Sequence, residues 1–139
     1  MDGPPEHNYC VVVEYDGTDY SGFQLQRDRR TIQGELERAL ERLSAGPVRV
    51  QGAGRTDAGV HALGQVISFH LAWRHDCQSL RRAINANLPR DIAVRQVAQV
   101  GDEFHARYSA MRRMYVYRIY QCDVRAPLLA RFAHHVRGT

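Results

Sequence analysis

The sequence predicts an α+β fold, a split βαβ arrangement in which an antiparallel sheet carries two helices on one face. Three observations predict it. Two segments have apolar residues at helical spacing, five runs are rich in β-branched and aromatic residues, and the order of these elements is β-α-β-β-α-β-β. At 139 residues the chain has room for one domain around one hydrophobic core.

Residues 1–8 are polar, carry Pro4-Pro5, and read as a disordered lead-in to a single domain over 9–139. Tyr9–Tyr15 (YCVVVEY) reads as a strand buried on at least one face, and Asp16-Gly17 ends it with a turn. Thr18–Gln26 (TDYSGFQLQ) mixes aromatics with amides ahead of Arg27, Arg29 and Arg30, and reads as a loop. Its side chains suit a polynucleotide, although Tyr20 and Phe23 are equally suited to covering the core. Ile32–Ala45 is the clearest helix, with Ile32, Leu36, Ala39, Leu40 and Leu43 in one stripe. Thr31 is its candidate N-cap and Gly46-Pro47 its stop, while Glu35, Glu37, Arg38, Glu41 and Arg42 form a solvated outer face. Val48–Val50 reads as a strand, and Val60–Phe69 as another. Leu80–Leu88 is a second helix, with Leu80, Ile84 and Leu88 on one face and Pro89 beyond its end. Ile92–Val100 is a strand, and Ser109–Cys122 (SAMRRMYVYRIYQC) a long one. The sum is a ferredoxin-like sheet with no internal repeat, linker or second domain.

Composition narrows the function. Apolar content of 44% and charged content of 24% are those of an ordinary globular chain. No run reaches the length of a membrane span, and the first ten residues lack the basic and apolar regions of a signal peptide, so the cytoplasm is the default expectation. Cys10, Cys77 and Cys122 are odd in number and far apart, which predicts reduced thiols, and the seven histidines show no metal-ligand spacing. The charge is uneven. Residues 1–70 hold 7 Arg against 10 acidic residues, whereas 71–139 hold 12 against 5, and all 19 basic residues are arginine. Arginine binds phosphate bidentately and stacks on bases, so the second half suits a nucleic acid as well as it suits a plain charged surface.

The chemically densest stretch is Gln51–His70 (QGAGRTDAGVHALGQVISFH). Two readings stand side by side. In one, Asp57-Ala58-Gly59 is a hairpin turn with Arg55 as a solvated neighbour. In the other, a tight glycine-lined loop presents one carboxylate and one guanidinium to a substrate. An ionised aspartate is a candidate nucleophile or base and a poor proton donor. A glycosidase would want a second carboxylate nearby, and residues 48–70 supply none. No Ser or Cys has the context of a catalytic triad, and Gly52-Ala53-Gly54 is too short for a phosphate-cradling loop.

GAGRTDAGVHALGQV resembles the catalytic motif of the TruA family of tRNA pseudouridine synthases. Other segments resemble the family too. EYDGTDYSGFQ (14–24) is similar to its first-strand signature, TIQGELERAL (31–40) to its first helix, and NANLP (85–89) to the end of its second. DEFHARYSAMRRMYVYRIY (102–120) is similar to its FHAR-to-tyrosine segment. The resemblance implies one half of the pseudouridine synthase fold, and an enzyme that isomerises uridine to pseudouridine in the anticodon stem-loop of tRNA. It implies no metal and no organic cofactor, tRNA as partner, and a possible homodimer. Asp57 falls on the family's catalytic aspartate, Arg55 on the arginine that pairs with it and helps flip the target nucleotide, and Tyr115 on the tyrosine that stacks on the target uracil. Arg107, Arg112, Arg113 and Gln24 would be RNA contacts, although from the residues alone the three arginines read equally as plain surface charge and Tyr115 as a core tyrosine of its strand. Phe23 stands where the family usually has tryptophan, and Leu25 where a polar residue is common. Members are roughly twice as long, with a second half that closes the cleft. The rival expectations are therefore a half-domain that holds RNA without turning it over, and two copies that pair through an exposed sheet edge.

Overall fold

The structure, a computed structural model, describes residues 4–106 and the backbone of residues 119–121 and 134–136. Its elements are β1 (Glu6–Tyr15), α1 (Ile32–Glu41), β2 (Gln51–Gly52), β3 (Ala62–Ala72), α2 (Cys77–Ala86), β4 (Ile92–Val100), β5 (Ile119–Gln121) and β6 (His134–Val136). The main sheet has four strands in the order β2-β3-β1-β4, with every neighbouring pair antiparallel. This is the split βαβ arrangement that the sequence predicts.

Alternation in β1 sets the two faces of the sheet. Tyr9, Val11, Val13 and Tyr15 are buried, while Cys10, Val12 and Glu14 between them are half-buried. In register with them, Ile67 lies opposite Val11 and Phe69 opposite Tyr9 on β3, and Ile92 and Val94 lie opposite Tyr15 and Val13 on β4. Ile32, Leu36 and Leu40 of α1 and Leu80 and Ile84 of α2 join these residues in one cluster, so both helices cover the same face. Each such buried side chain contributes about 1.5–3 kcal/mol through the apolar surface it removes from water. On the other face Arg95 pairs with Glu14, and the chain after β4 folds back, with the Ala106 N–H donating to Ser68 Oγ at 3.0 Å.

Thr31 caps α1 as predicted, its hydroxyl accepting from the Gly34 N–H at 3.1 Å. The helix ends at Glu41 rather than Ala45. Leu43 and Ser44 donate three residues back, to Leu40 and Glu41, which tightens the last turn out of α-helical geometry. α2 starts earlier than its apolar stripe suggests, because Asp76 caps it by accepting from the Ser79 N–H at 2.7 Å. β1 also starts earlier, at Glu6, and takes in three residues read as lead-in. Asn8 is buried there because its amide donates to the carbonyls of Gly101 and Phe104, at 2.9 and 2.8 Å.

Val48–Val50 is not a strand. Its alternation is real, with Val48 and Val50 buried and Arg49 exposed, but its backbone bonds go to side chains of α1. Glu37 Oε2 accepts from the Val50 N–H at 3.0 Å, Gln33 Nε2 donates to the Val50 carbonyl at 3.2 Å, and Glu41 Oε2 accepts from the Val48 N–H at 3.4 Å. Glu37 and Glu41 are therefore structural ligands of this segment and not a merely solvated face. Asn85 plays the same part beside β4, exchanging two hydrogen bonds with the Val94 backbone at 3.0 and 2.7 Å.

Cys10 and Cys77 are free thiols. Of the long strand read over Ser109–Cys122, only Ile119–Gln121 is described, pairing in parallel with His134–Val136. Tyr115, Arg107, Arg112 and Arg113 lie outside the described residues.

Candidate functional site

Asp57 sits in the loop of residues 53–61, which joins β2 to β3. The Val60 N–H donates to the Asp57 carbonyl at 3.1 Å, and Gly59 takes a positive φ of 79°, so residues 57–60 form a turn of the kind in which glycine is favoured at the third position. The hairpin-turn reading thus holds for these four residues. It is only part of the loop. On the β3 side the Ala53 N–H reaches the Val66 carbonyl at 2.8 Å. The Gln65 amide then bonds the Gly54 N–H and carbonyl, at 3.3 and 2.7 Å, as a further rung made of side-chain atoms.

The other side of the loop is braced by the segment between β1 and α1. The Phe23 N–H donates to the Thr56 carbonyl at 3.0 Å, the Tyr15 hydroxyl meets Thr56 Oγ1 at 2.7 Å, and the Gly59 N–H donates to the Tyr20 carbonyl at 3.3 Å. His61 Nδ1 accepts from the Gly17 N–H at 2.9 Å. Two glycines make this approach possible. A Cβ on Gly17 would lie 2.0 Å from the Val60 carbonyl oxygen, and one on Gly22, whose φ is +94°, would lie 2.9 Å from that of Thr56. EYDGTDYSGFQ and GAGRTDAGVH, distant in sequence, are the two halves of one construction.

Tyr20 and Phe23 are therefore core residues, 4% and 2% exposed, and not stacking platforms for a base. The Tyr20 hydroxyl donates to Asp91, and the Arg30 guanidinium lies 4.3 Å over its ring. Burial, followed by that hydrogen bond, pushes the phenol well above its ordinary value. Both effects protect the protonated form, which suits a brace.

Asp57 and Arg55 are both exposed, and among the described residues neither side chain has an ion-pair or hydrogen-bond partner. The Arg55–Asp57 pairing that the resemblance implies is not formed here. Arg55 instead lines a recess of about 180 Å³ with Gln24, Gln33, Arg49, Gln51 and, at its floor, Phe23 and Gly52. The structure thus brings Gln24 and Arg55 together and adds Arg49, which the sequence reading passed over. The signal was present, since burial of Val48 and Val50 turns the residue between them outward. A larger cleft of about 440 Å³, lined by His7, Trp73, Arg74 and His75 among others, lies at the opposite end of β1.

One exposed carboxylate thus stands on a braced loop beside a recess of guanidinium and amide groups. The family described as tRNA pseudouridine synthase matches residues 11–109, and this chain belongs to it. The chain is 47% identical over 128 residues to a tRNA pseudouridine synthase A of Streptococcus mutans, covering 91% of this chain and 51% of the relative. It is 48% identical over 129 residues to the Shewanella sediminis protein of that name, covering 93% and 49%. With the Pseudothermotoga lettingae protein the identity is 50% over 112 residues, covering 81% and 46%. The chain spans about half the length of the relatives it matches.

Proposed function

We propose that this chain is the aspartate-bearing part of an enzyme that isomerises uridine to pseudouridine in the anticodon stem-loop of tRNA, in the cytoplasm, with Asp57 as the catalytic carboxylate. The observation that carries the reading is the loop itself: a solvent-facing aspartate on a backbone braced from both sides, in a chain of this family. The chemistry asks for little more. The C1′–N1 bond breaks, the uracil turns, C5 bonds to C1′, and the hydrogen on C5 leaves as a proton while N1 gains one. The atoms of the product are those of the substrate, so one placed carboxylate and a closed pocket suffice, whichever atom the carboxylate addresses.

Arg55 has a role that fits its exposure. A base inside a stem must leave the stack first, at a cost of a few kcal/mol, and an inserted guanidinium offsets part of that cost. Tyr115 would hold the extruded ring by stacking, worth roughly 1–3 kcal/mol. Arg107, Arg112 and Arg113 would neutralise phosphates. Among the described residues no helix is long and apolar enough to cross a membrane.

The test is tritium release from tRNA transcripts labelled at uracil C5, with Asp57→Asn as the control. Release is expected from the assembled active form and is abolished by Asp57→Asn, which leaves RNA binding nearly intact. Turnover retained in that variant would sink the role of Asp57. A second reading is RNA binding without turnover. Binding of the transcript with no release by this chain alone would favour it.

A further inference from the structure

The recess beside Arg55 holds a second guanidinium to which nothing above assigns a task. Arg49 projects from a segment whose backbone is fixed on both sides, by Glu37 and Gln33 at Val50 and by Glu41 at Val48. The Glu37 carboxylate is already committed to the Val50 N–H and to Gln33 Nε2. Among the described residues neither Arg49 nor Arg55 forms an ion pair, and the amides of Gln24 and Gln51 make no side-chain hydrogen bond. Phe23 packs closely on Gly52, where an added Cβ would come within 2.6 Å of the ring. Two unpaired cations and two free amides thus converge on one recess.

We propose that this recess binds a phosphodiester of the RNA strand next to the target nucleotide, with Arg49 as the phosphate ligand and Gln24 and Gln51 as supporting donors. The proposal rests on the RNA reading above and names the part of the substrate that this surface takes. Guanidinium forks match phosphate oxygens bidentately, and like charges that share one recess favour an anion between them. Arg55 is then free to enter the stack while Arg49 keeps the strand in register. That division separates a contact that positions the backbone from one that acts on the base.

The test is binding of a synthetic anticodon stem-loop RNA across a salt series, for the unsubstituted chain, Arg49→Ala, Arg49→Lys and, as a distant control, Arg82→Ala on the exposed side of α2. Loss of one phosphate contact is expected to weaken binding by about threefold to tenfold and to lower the slope of log K against log salt by about 0.7–0.9. Arg49→Lys keeps the slope and Arg82→Ala changes neither quantity. A scan of single methylphosphonates adds a readout that a merely structural role would not move. At one phosphate the neutral linkage weakens the unsubstituted chain but has no further effect on Arg49→Ala. Unchanged affinity and slope in Arg49→Ala, with RNA binding intact, would overturn the recess alone, as would methylphosphonate penalties that all persist in that variant. No salt-dependent RNA binding by the unsubstituted chain would overturn the RNA reading and this proposal with it.

Discussion

Gly17 and Gly46 are the same residue with opposite consequences. At Gly46 an added Cβ would meet nothing within 4 Å, whereas at Gly17 it would lie 2.0 Å from the Val60 oxygen and 2.7 Å from its carbonyl carbon. Backbone cannot swing aside like the end of a side chain, so the alanine at 17 must push the Asp57 loop off the segment that braces it. Gly17→Ala is expected to cost about 3 kcal/mol or more of stability. Gly46→Ala should be neutral or gain up to about 1 kcal/mol by restricting the unfolded chain. Denaturant midpoints measure both, and equal midpoints for the two variants would contradict the close approach. The residue scale is also where the sequence was least legible. Tyr20 and Phe23 read equally well as core or as RNA platforms, and only the Thr56 and Asp91 contacts decide between them. Asp57 and Arg55 could be read from a motif, but their separation in the folded loop could not.

At the scale of elements, periodicity carried most of the fold. Runs of β-branched and aromatic residues located β1 and β4, and the three- and four-residue spacing located both helices. It failed where side chains stand in for backbone partners. Val48–Val50 alternates like a strand, yet Glu37 and Gln33 supply the bonds a neighbouring strand would have supplied. Nothing in a helical stripe announces that two polar residues one turn apart face an adjoining segment. Glu37→Ala should therefore cost about 1–3 kcal/mol, because it strips the buried Val50 of its acceptor, although an exposed glutamate on a helix would contribute almost nothing. Glu37→Gln, whose amide oxygen can still accept, should restore most of that loss in urea unfolding. An alanine variant as stable as the parent would return Glu37 to the solvated face that the sequence reading gave it.

For the whole molecule, the two glycine-bearing motifs EYDGTDYSGFQ and GAGRTDAGVH become one object only through topology. The order β2-β3-β1-β4 places the end of β1 beside the start of β3, so the turn after Tyr15 and the loop before Ala62 must meet. The same packing ties ionisation to folding. Burial raises Tyr9, Cys10 and Tyr20 above their ordinary values of 10, 9 and 10, with a further contribution from Cys77 at Tyr9 and from Asp91 at Tyr20. All three are neutral when protonated, so the unfolded chain loses these protons at lower pH than the folded one. Above the ordinary values the unfolded state binds fewer protons, and stability falls as pH rises. The contribution of these groups is fully present below about pH 9 and is lost progressively above it, as the pH climbs toward the raised folded values. Unfolding midpoints in guanidinium chloride from pH 7 to 11 should show a plateau followed by a decline. Tyr20→Phe should make the decline shallower, because it removes one of the protons released on unfolding. A decline of the same steepness in that variant would mean that the Tyr20 hydroxyl is open to solvent and is not held against Asp91.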